Sequence, residues 1–167
     1  LMLTRYFTFS ASGNVEVSNP GLAITDYLYK KYEGEILAYM NFEPGSILKY
    51  RLKAGSITGE APLFKEFQLG GPGSMRAFPY KSMPVGFNGA NKMILSTAEL
   101  QFGSSWGQDG WIELDDFYLS LFLDSGWVND YTGANKLIGE GFENFNVRNM
   151  EHNGGVGLGT NSFRAEL

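Results

Sequence analysis

The chain has 167 residues and no cysteine, so it can form one domain with a substantial core but has no disulfide or thiolate chemistry. Its 18 acidic residues outnumber 13 basic ones, the net charge is −5 and no basic run occurs, which argues against nucleic-acid binding. Aromatic residues make up 15% of the chain, glycine occurs 22 times, and no apolar run is long enough for a transmembrane helix. This composition favours an all-β protein.

The first part of the chain alternates between apolar and polar residues, and a period of two predicts β-strands with two different faces. The pattern predicts a first strand over residues 6–17 and a second over residues 29–43. The segment Pro44-Gly45-Ser46 is a tight turn, so a third strand over residues 48–55 forms an antiparallel hairpin with the second. Acidic side chains of the second strand and basic side chains of the third share one face, where we expect them to pair. They are Glu33, Glu35 and Glu43 on the second strand and Lys49, Arg51 and Lys53 on the third.

A long connection over about residues 60–91 follows the third strand and precedes a fourth strand over residues 93–102. Residues 103–116, which contain two of the tryptophans, read as a turn region. The alternation then returns and predicts a fifth strand over residues 117–128.

A second long connection covers residues 129–153, and residues 137–145 within it are predicted to form a short helix. Residues 154–160 predict a glycine-rich strand, and residues 163–167 predict the beginning of another. The chain is therefore expected to contain about six or seven strands without a domain boundary.

Alternating strands of this kind fit two architectures. In a soluble β-sandwich the apolar face forms the core and the polar face contacts water. In an outer-membrane barrel the apolar face contacts lipid and the polar face lines the lumen. The predicted strand lengths favour the barrel, because tilted membrane strands need about 9–11 residues whereas ordinary strands average about 5–6.

The first long connection contains an unusual stretch over residues 67–78, which has three glycines, large apolar side chains and one arginine, Arg76. Glycine permits a chain to fold back on itself, and a buried arginine requires carboxylate partners. Strand parity places Glu99 and Asp124 on the polar faces of the two strands that follow. We therefore expect Arg76 to form charge-assisted hydrogen bonds with these two residues if the connection folds back against the sheet.

Enzymatic chemistry finds little support in the sequence. The single histidine, His152, lies in a polar stretch, and neither a nucleophile elbow nor a zinc-binding His-Glu-x-x-His motif occurs. The glycines at 155, 157 and 159 lack dinucleotide-binding spacing, and Asp115-Asp116 is interpreted as a solvated turn. We expect a protein that is not an enzyme and uses no metal or other cofactor.

The stretch from Leu63 to Gly71, followed by Ser74-Met-Arg-Ala-Phe78, resembles the signature loop of the bacterial surface antigen family. This family comprises the BamA- and TamA-like insertases and the two-partner secretion transporters. The resemblance continues in order along the chain through three shorter motifs. They are Ser96-Thr-Ala-Glu99, Phe122-Leu-Asp-Ser-Gly126 and Gly155-Val-Gly-Leu158.

The resemblance implies that residues 1–167 are a single partial domain, the C-terminal part of a transmembrane β-barrel of about 16 strands. It also implies that the loop at about 60–91 folds into the barrel, where Glu99 and Asp124 hold Arg76. The remaining motif residues would shape and pack the loop: Gly70, Gly71, Gly73, Ser74, Met75, Ala77 and Phe78. Ala77 stands where the family usually has glycine, which implies either a less tightly wound tip or a divergent branch of the family.

In function, the resemblance implies a bacterial outer-membrane protein that inserts, assembles or translocates other proteins without nucleotide or metal. Its partners would be outer-membrane lipid, outer-membrane or secreted substrate proteins and periplasmic or lipoprotein accessory subunits, with no nucleic acid. Three alternatives remain open on the sequence. They are a transporter dedicated to one secreted substrate, the barrel anchor of a surface lipase and a soluble β-sandwich binding module.

Overall fold

The computed structural model describes residues 4–21, 26–42, 46–84, 89–103, 118–133, 135–159 and 164–166. The described part is all-β and forms one antiparallel sheet of seven strands, whose order in space follows their order in the chain. The strands are β1 Thr4–Ser18, β2 Tyr29–Phe42, β3 Ser46–Gly59, β4 Lys92–Gly103, β5 Tyr118–Asn129, β6 Glu151–Gly159 and β7 Arg164–Glu166. The predicted fold class is confirmed. Within the described ranges, no helix has the length and apolarity needed to cross a membrane.

The first five strands are long, with 12 to 15 residues each. They pair in continuous register apart from one irregularity of β1 between Thr4 and Tyr6. Such lengths exceed the mean of about 5–6 residues for strands of soluble domains. The register carries a row of residues straight across the sheet, for example from Gly13 to Gly34 to Ala54. The strands therefore present two continuous faces, which the alternation of residue types had predicted.

The outer face of the sheet exposes its large apolar side chains. Phe7 and Phe9 of β1 are 60% and 56% exposed, and Leu121 and Leu123 of β5 are 45% and 53% exposed. Large apolar side chains exposed along one face of a long-stranded sheet are typical of a surface that contacts lipid.

The inner face holds the charged rows of β2 and β3, which pair as expected. The Lys53 ammonium lies 3.0 Å from Glu33, and the Arg51 guanidinium lies 3.0 Å from Glu35. The register sets Glu35 opposite Lys53, so both ion pairs run diagonally between the strands. Glu43 lies outside the described residues.

The hydrophobic core lies on the inner face, at the end of the sheet where the first long connection folds back. We call this connection, residues 60–91, the inward loop. Its apolar side chains and those of the strands below form one buried cluster: Tyr29, Ile57, Phe67, Leu69, Met75, Met83, Met93 and Leu95. The core is therefore built from the contact of a loop with a sheet.

The second long connection, residues 130–150, hereafter the second loop, contradicts one prediction. Residues 137–145 form successive tight turns and no helix. Gly141 has a φ of 89°, which breaks a helical path, and Phe142 and Phe145 turn instead towards the ring of Trp127. Packing of these half-buried rings against the buried Trp127 outweighs the weak local preference for a helix.

The other predicted strands lie within a few residues of the observed ones. The largest shifts are in β3, which ends at Gly59, four residues after the predicted end at Gly55, and in β6, which begins at Glu151, three residues before the predicted start at Gly154. The predicted turn region with Trp106, Trp111 and Asp115-Asp116 lies outside the described residues, as does the Pro44-Gly45 turn.

Candidate functional site

The tip of the inward loop is a tight turn that depends on glycine. Gly70, Gly71 and Gly73 all have positive φ angles, of 116°, 88° and 82°. A side chain at Gly70 would also overlap the carbonyl oxygen of Pro79, which crosses directly above it. The Gly71 amide donates hydrogen bonds to the carbonyl oxygens of Met75 and Phe78, each at 3.0 Å, and so closes the turn.

Two short bridges hold the loop behind its tip. Phe67 and Ala90 exchange backbone hydrogen bonds of 2.8 and 3.0 Å, and Leu69 and Met83 exchange a second pair of the same lengths. The ring of Phe67 lies directly on Gly55 of β3, where a side chain would overlap it. The loop therefore docks where the absence of a side chain at Gly55 leaves room for the Phe67 ring.

The turn presents Arg76 to the inner face, where the structure places it between Asp124 and Glu99. Its Nε and Nη2 atoms each donate to one oxygen of Asp124 at 3.0 Å, which is a bidentate contact. Its Nη1 atom donates to Glu99 Oε2 at 2.9 Å, and its backbone amide donates to Asp124 Oδ2 at 3.1 Å. One arginine thus joins the loop to β4 and β5 simultaneously. We call these three residues the arginine site.

Neighbouring side chains orient the arginine site. Gln101 donates to the second oxygen of Glu99 at 2.6 Å, and the Arg76 guanidinium lies 3.9 Å above the ring of Phe122. Hydrogen-bond matching sets the Asn153 amide with its nitrogen towards Asp124 Oδ2 at 3.1 Å and its oxygen towards the Ala77 amide at 3.2 Å. The loop backbone is thereby bound to β6 as well.

The arginine site is almost completely removed from solvent. The side chain of Asp124 is 0% exposed, that of Glu99 is 7% exposed and that of Arg76 is 9% exposed. Charges at such depth are tolerated because each is paired and hydrogen-bonded, and removal of one partner from such a pair costs about 3–5 kcal/mol. The site is therefore a strong specific restraint on the loop.

The other motif residues have supporting positions in the loop. Ser74 accepts a hydrogen bond from the Gly70 amide at 3.2 Å, Met75 is fully buried, and Phe78 packs against the core. Ala77 does not have a positive φ, so alanine fits the tip without backbone strain. His152, by contrast, is exposed, and its ring forms a hydrogen bond with Ser125, which is not part of the arginine site.

A second arginine, which the sequence reasoning assigned only to an ion pair, also holds the loop. Arg51 Nη1 donates to the carbonyl oxygen of Gly73 at 2.9 Å, while its Nη2 atom binds Glu35. A cavity of about 650 Å³ lies between this contact and the arginine site. The loop tip is thus held on both sides of a space that stays open.

We expect Arg51→Met to loosen the tip without releasing the loop, because the Gly73 carbonyl loses one charge-assisted hydrogen bond of about 1.5–3 kcal/mol. Hydrogen exchange at residues 70–78 should rise by about tenfold or more, whereas the Phe67 amide should stay protected. Lys53→Met is the matched control. Lys53 is on the same strand and forms the same kind of ion pair, with Glu33 of β2 rather than with the loop. Equal hydrogen exchange at residues 70–78 in the two variants would refute the role of the Arg51–Gly73 bond as a second anchor of the loop.

Glu66, at the base of the inward loop, lies where its charged form is disfavoured. Burial raises the pKa of its carboxyl group, and the nearby charge of Asp130 raises it further. A carboxyl group with a raised pKa in the folded state contributes stability below its ordinary pKa, and this contribution is lost as pH rises through the raised value.

Protection of the Phe67 and Ala90 amides should therefore decrease as pH rises through the raised pKa of Glu66. We expect Glu66→Gln to increase protection at neutral pH and to flatten this dependence, measured as protection factors corrected for intrinsic exchange. Glu60→Gln changes an exposed carboxylate of the same loop and serves as the control. A Glu66→Gln profile that coincides with the unmodified protein would contradict this assignment.

A long-stranded antiparallel meander with exposed apolar side chains on its outer face is typical of the class of outer-membrane β-barrels. The sequence matches the Omp85 superfamily domain over residues 8–162. The chain belongs to the Omp85 superfamily and is a segment of a bacterial outer-membrane barrel. The soluble β-sandwich alternative is therefore wrong.

Solved structures agree with this fold, and 39 chains match. One is BamA from Haemophilus ducreyi lacking POTRA domains 1–3, which is similar with a TM-score of 0.68 and 18% sequence identity. The match covers 96% of the present chain and 35% of the BamA chain, so the chain spans about a third of that protein's length. No curated protein sequence matches the chain.

Proposed function

We propose that this segment belongs to a barrel that inserts or translocates proteins at the outer membrane, and that the arginine site acts by positioning the inward loop. Bidentate binding of Arg76 by Asp124, together with its bond to Glu99, is the observation that supports the proposal. These bonds hold a loop of about 30 residues inside the sheet without filling the space beside it.

The proposal requires no chemical catalysis. The charged groups of the arginine site are directed at one another, and Gln101 and Asn153 occupy further bonding positions around them. Groups engaged in this way favour a structural role over proton transfer, because a general base needs a free, suitably tuned acceptor for its substrate. Within the described ranges, no cluster of histidine, aspartate and glutamate could hold a metal ion.

The proposal is tested with the complete protein that carries this segment, in cells where it can be depleted. Restoration of outer-membrane protein levels by the unmodified protein, but not by a variant of the arginine site, is the expected result. Export failure of one secreted substrate with normal outer-membrane protein levels would instead indicate a dedicated transporter. Normal outer-membrane protein levels and normal export, together with loss of a hydrolase activity at the cell surface, would indicate an enzyme anchor.

A further inference from the structure

A groove on the outer face lies where the second loop covers the first three strands, on the side opposite the arginine site. Its volume is about 390 Å³, which falls within the usual range of about 300–1,000 Å³ for small-molecule sites. The floor comes from β1, β2 and β3, and two loop residues form one wall. The side chains and glycines that shape it are Gly13, Gly34 and Ala54 below, Val15 and Tyr32 beside them, and Ile138 and Phe142 above.

The wall of this groove is held in place by hydrogen bonds that are buried or partly buried. Ser56 donates to the Ile138 carbonyl at 2.8 Å, and the fully buried Lys92 donates to Asn135 Oδ1 at 2.8 Å and to Ser56 Oγ at 2.9 Å. Phe142 is held further by its contact with the ring of Trp127. The groove is therefore preformed, which lowers the entropic cost of binding.

Gly34, in the floor, has no backbone reason to be glycine. It has no positive φ, and a Cβ atom there would meet nothing within 4 Å. Glycine within a strand costs about 0.5–1 kcal/mol relative to alanine. What Gly34 provides is open space on a face that contacts hydrocarbon.

Towards the loop end of the sheet, the groove continues into a second depression, and Tyr32 lines both. Two exposed lysines, Lys30 and Lys136, line this upper part together with one carboxylate, Glu60. Among the described residues, neither lysine ammonium group forms an ion pair with Glu60 or with any other carboxylate. The surface thus combines an apolar lower part with a cationic upper part.

We propose that the groove binds one anionic lipid of the outer leaflet, with an acyl chain along Gly34 and a phosphate headgroup between Lys30 and Lys136. The groove is continuous with the lipid-facing surface, and long loops of outer-membrane barrels lie on the extracellular side. A lipid matches both parts of the site, since hydrocarbon fills the lower part and phosphate pairs with the lysines. This inference rests on the membrane location of the barrel and is independent of the proposed function.

The complete protein in neutral detergent is titrated with phosphatidylglycerol, phosphatidylcholine or inorganic phosphate, and bound copies are counted by native mass spectrometry. We expect one phosphatidylglycerol to bind more tightly than phosphatidylcholine. Gly34→Leu should weaken it by about tenfold or more, because displacement of two methylene groups is sufficient for that change. The double variant Lys30→Gln/Lys136→Gln should lower phosphatidylglycerol affinity to that of phosphatidylcholine.

Leu123→Phe is the matched control, because it adds bulk to the same face outside the groove, and its lipid binding should be unchanged. Heat-modifiable migration in gels reports that each variant is folded. Unchanged phosphatidylglycerol binding in folded Gly34→Leu would overturn the acyl-chain site. Equal affinity for the two lipids, or displacement of phosphatidylglycerol by inorganic phosphate alone, would overturn the proposed lipid headgroup recognition.

Discussion

Replacement of Arg76 by glutamate is expected to release the inward loop and abolish function. The substitution places a third carboxylate against Asp124 and Glu99, which are 0% and 7% exposed and lose their ion pairs with the Arg76 guanidinium. Loss of one partner from a buried ion pair costs about 3–5 kcal/mol, which corresponds to more than a hundredfold change in the docking equilibrium. Protease cleavage within residues 60–84 and outer-membrane protein levels in depleted cells are the two measurements.

Arg148→Glu is the matched control for this charge reversal, because Arg148 is an exposed arginine of the second loop. A reciprocal change, Glu99→Arg in the Arg76→Glu background, should restore part of the protection. Glu99 is the better partner for this test because it borders the 650 Å³ cavity, which gives a longer side chain room. The positioning role is refuted if Arg76→Ala leaves both loop protection and activity unchanged.

Gly55→Leu is expected to have the second largest effect, although residue 55 is distant in sequence from the arginine site. A side chain at this position overlaps the ring of Phe67, which is 4% exposed, so the ring must leave the sheet. Exposure of one such ring costs about 1.5–3 kcal/mol, and loss of the Phe67–Ala90 bridge adds to this. The expected result is a protease-sensitive loop in a barrel whose strands remain paired.

Ala11→Leu controls for added bulk on a strand, because Ala11 is exposed on the outer face of β1. Protease sensitivity of the loop should be unchanged in this variant, whereas Gly55→Leu should be cleaved. If Gly55→Leu protects the loop as well as Ala11→Leu does, the packing of Phe67 on Gly55 does not determine docking. Activity in depleted cells should follow loop protection in both variants.

Local periodicity allowed most of the sheet to be predicted. Side chains of a strand alternate between faces, so parity alone placed Glu99 and Asp124 on the face opposite the exposed Leu121 and Leu123. Parity also assigns Gln101 and Phe122 to the inner face, although their contacts with the arginine site were not predicted. The signal for both residues was present in the alternation, because each lies two positions from one of the carboxylates.

Other features depend on how distant segments meet and have no local signal. Arg51 binds the Gly73 carbonyl 22 residues away, and backbone carbonyls are identical in every residue, so no side-chain pattern marks the contact. The turns of residues 137–145 depend on Trp127, whose ring lies on a different element. Long-range packing of this kind overrides weak local propensity.

By itself, the sequence determined the class of fold, the two faces of the sheet and the need of Arg76 for carboxylate partners. These properties follow from a two-residue period and from the cost of an unpaired buried charge, both of which are local or compositional. Only the tertiary structure decided the path of the inward loop, its second anchor at Arg51 and the groove on the outer face. Each of these requires segments that are far apart in the chain to come together, and their geometry is set by packing rather than by the residues of one segment.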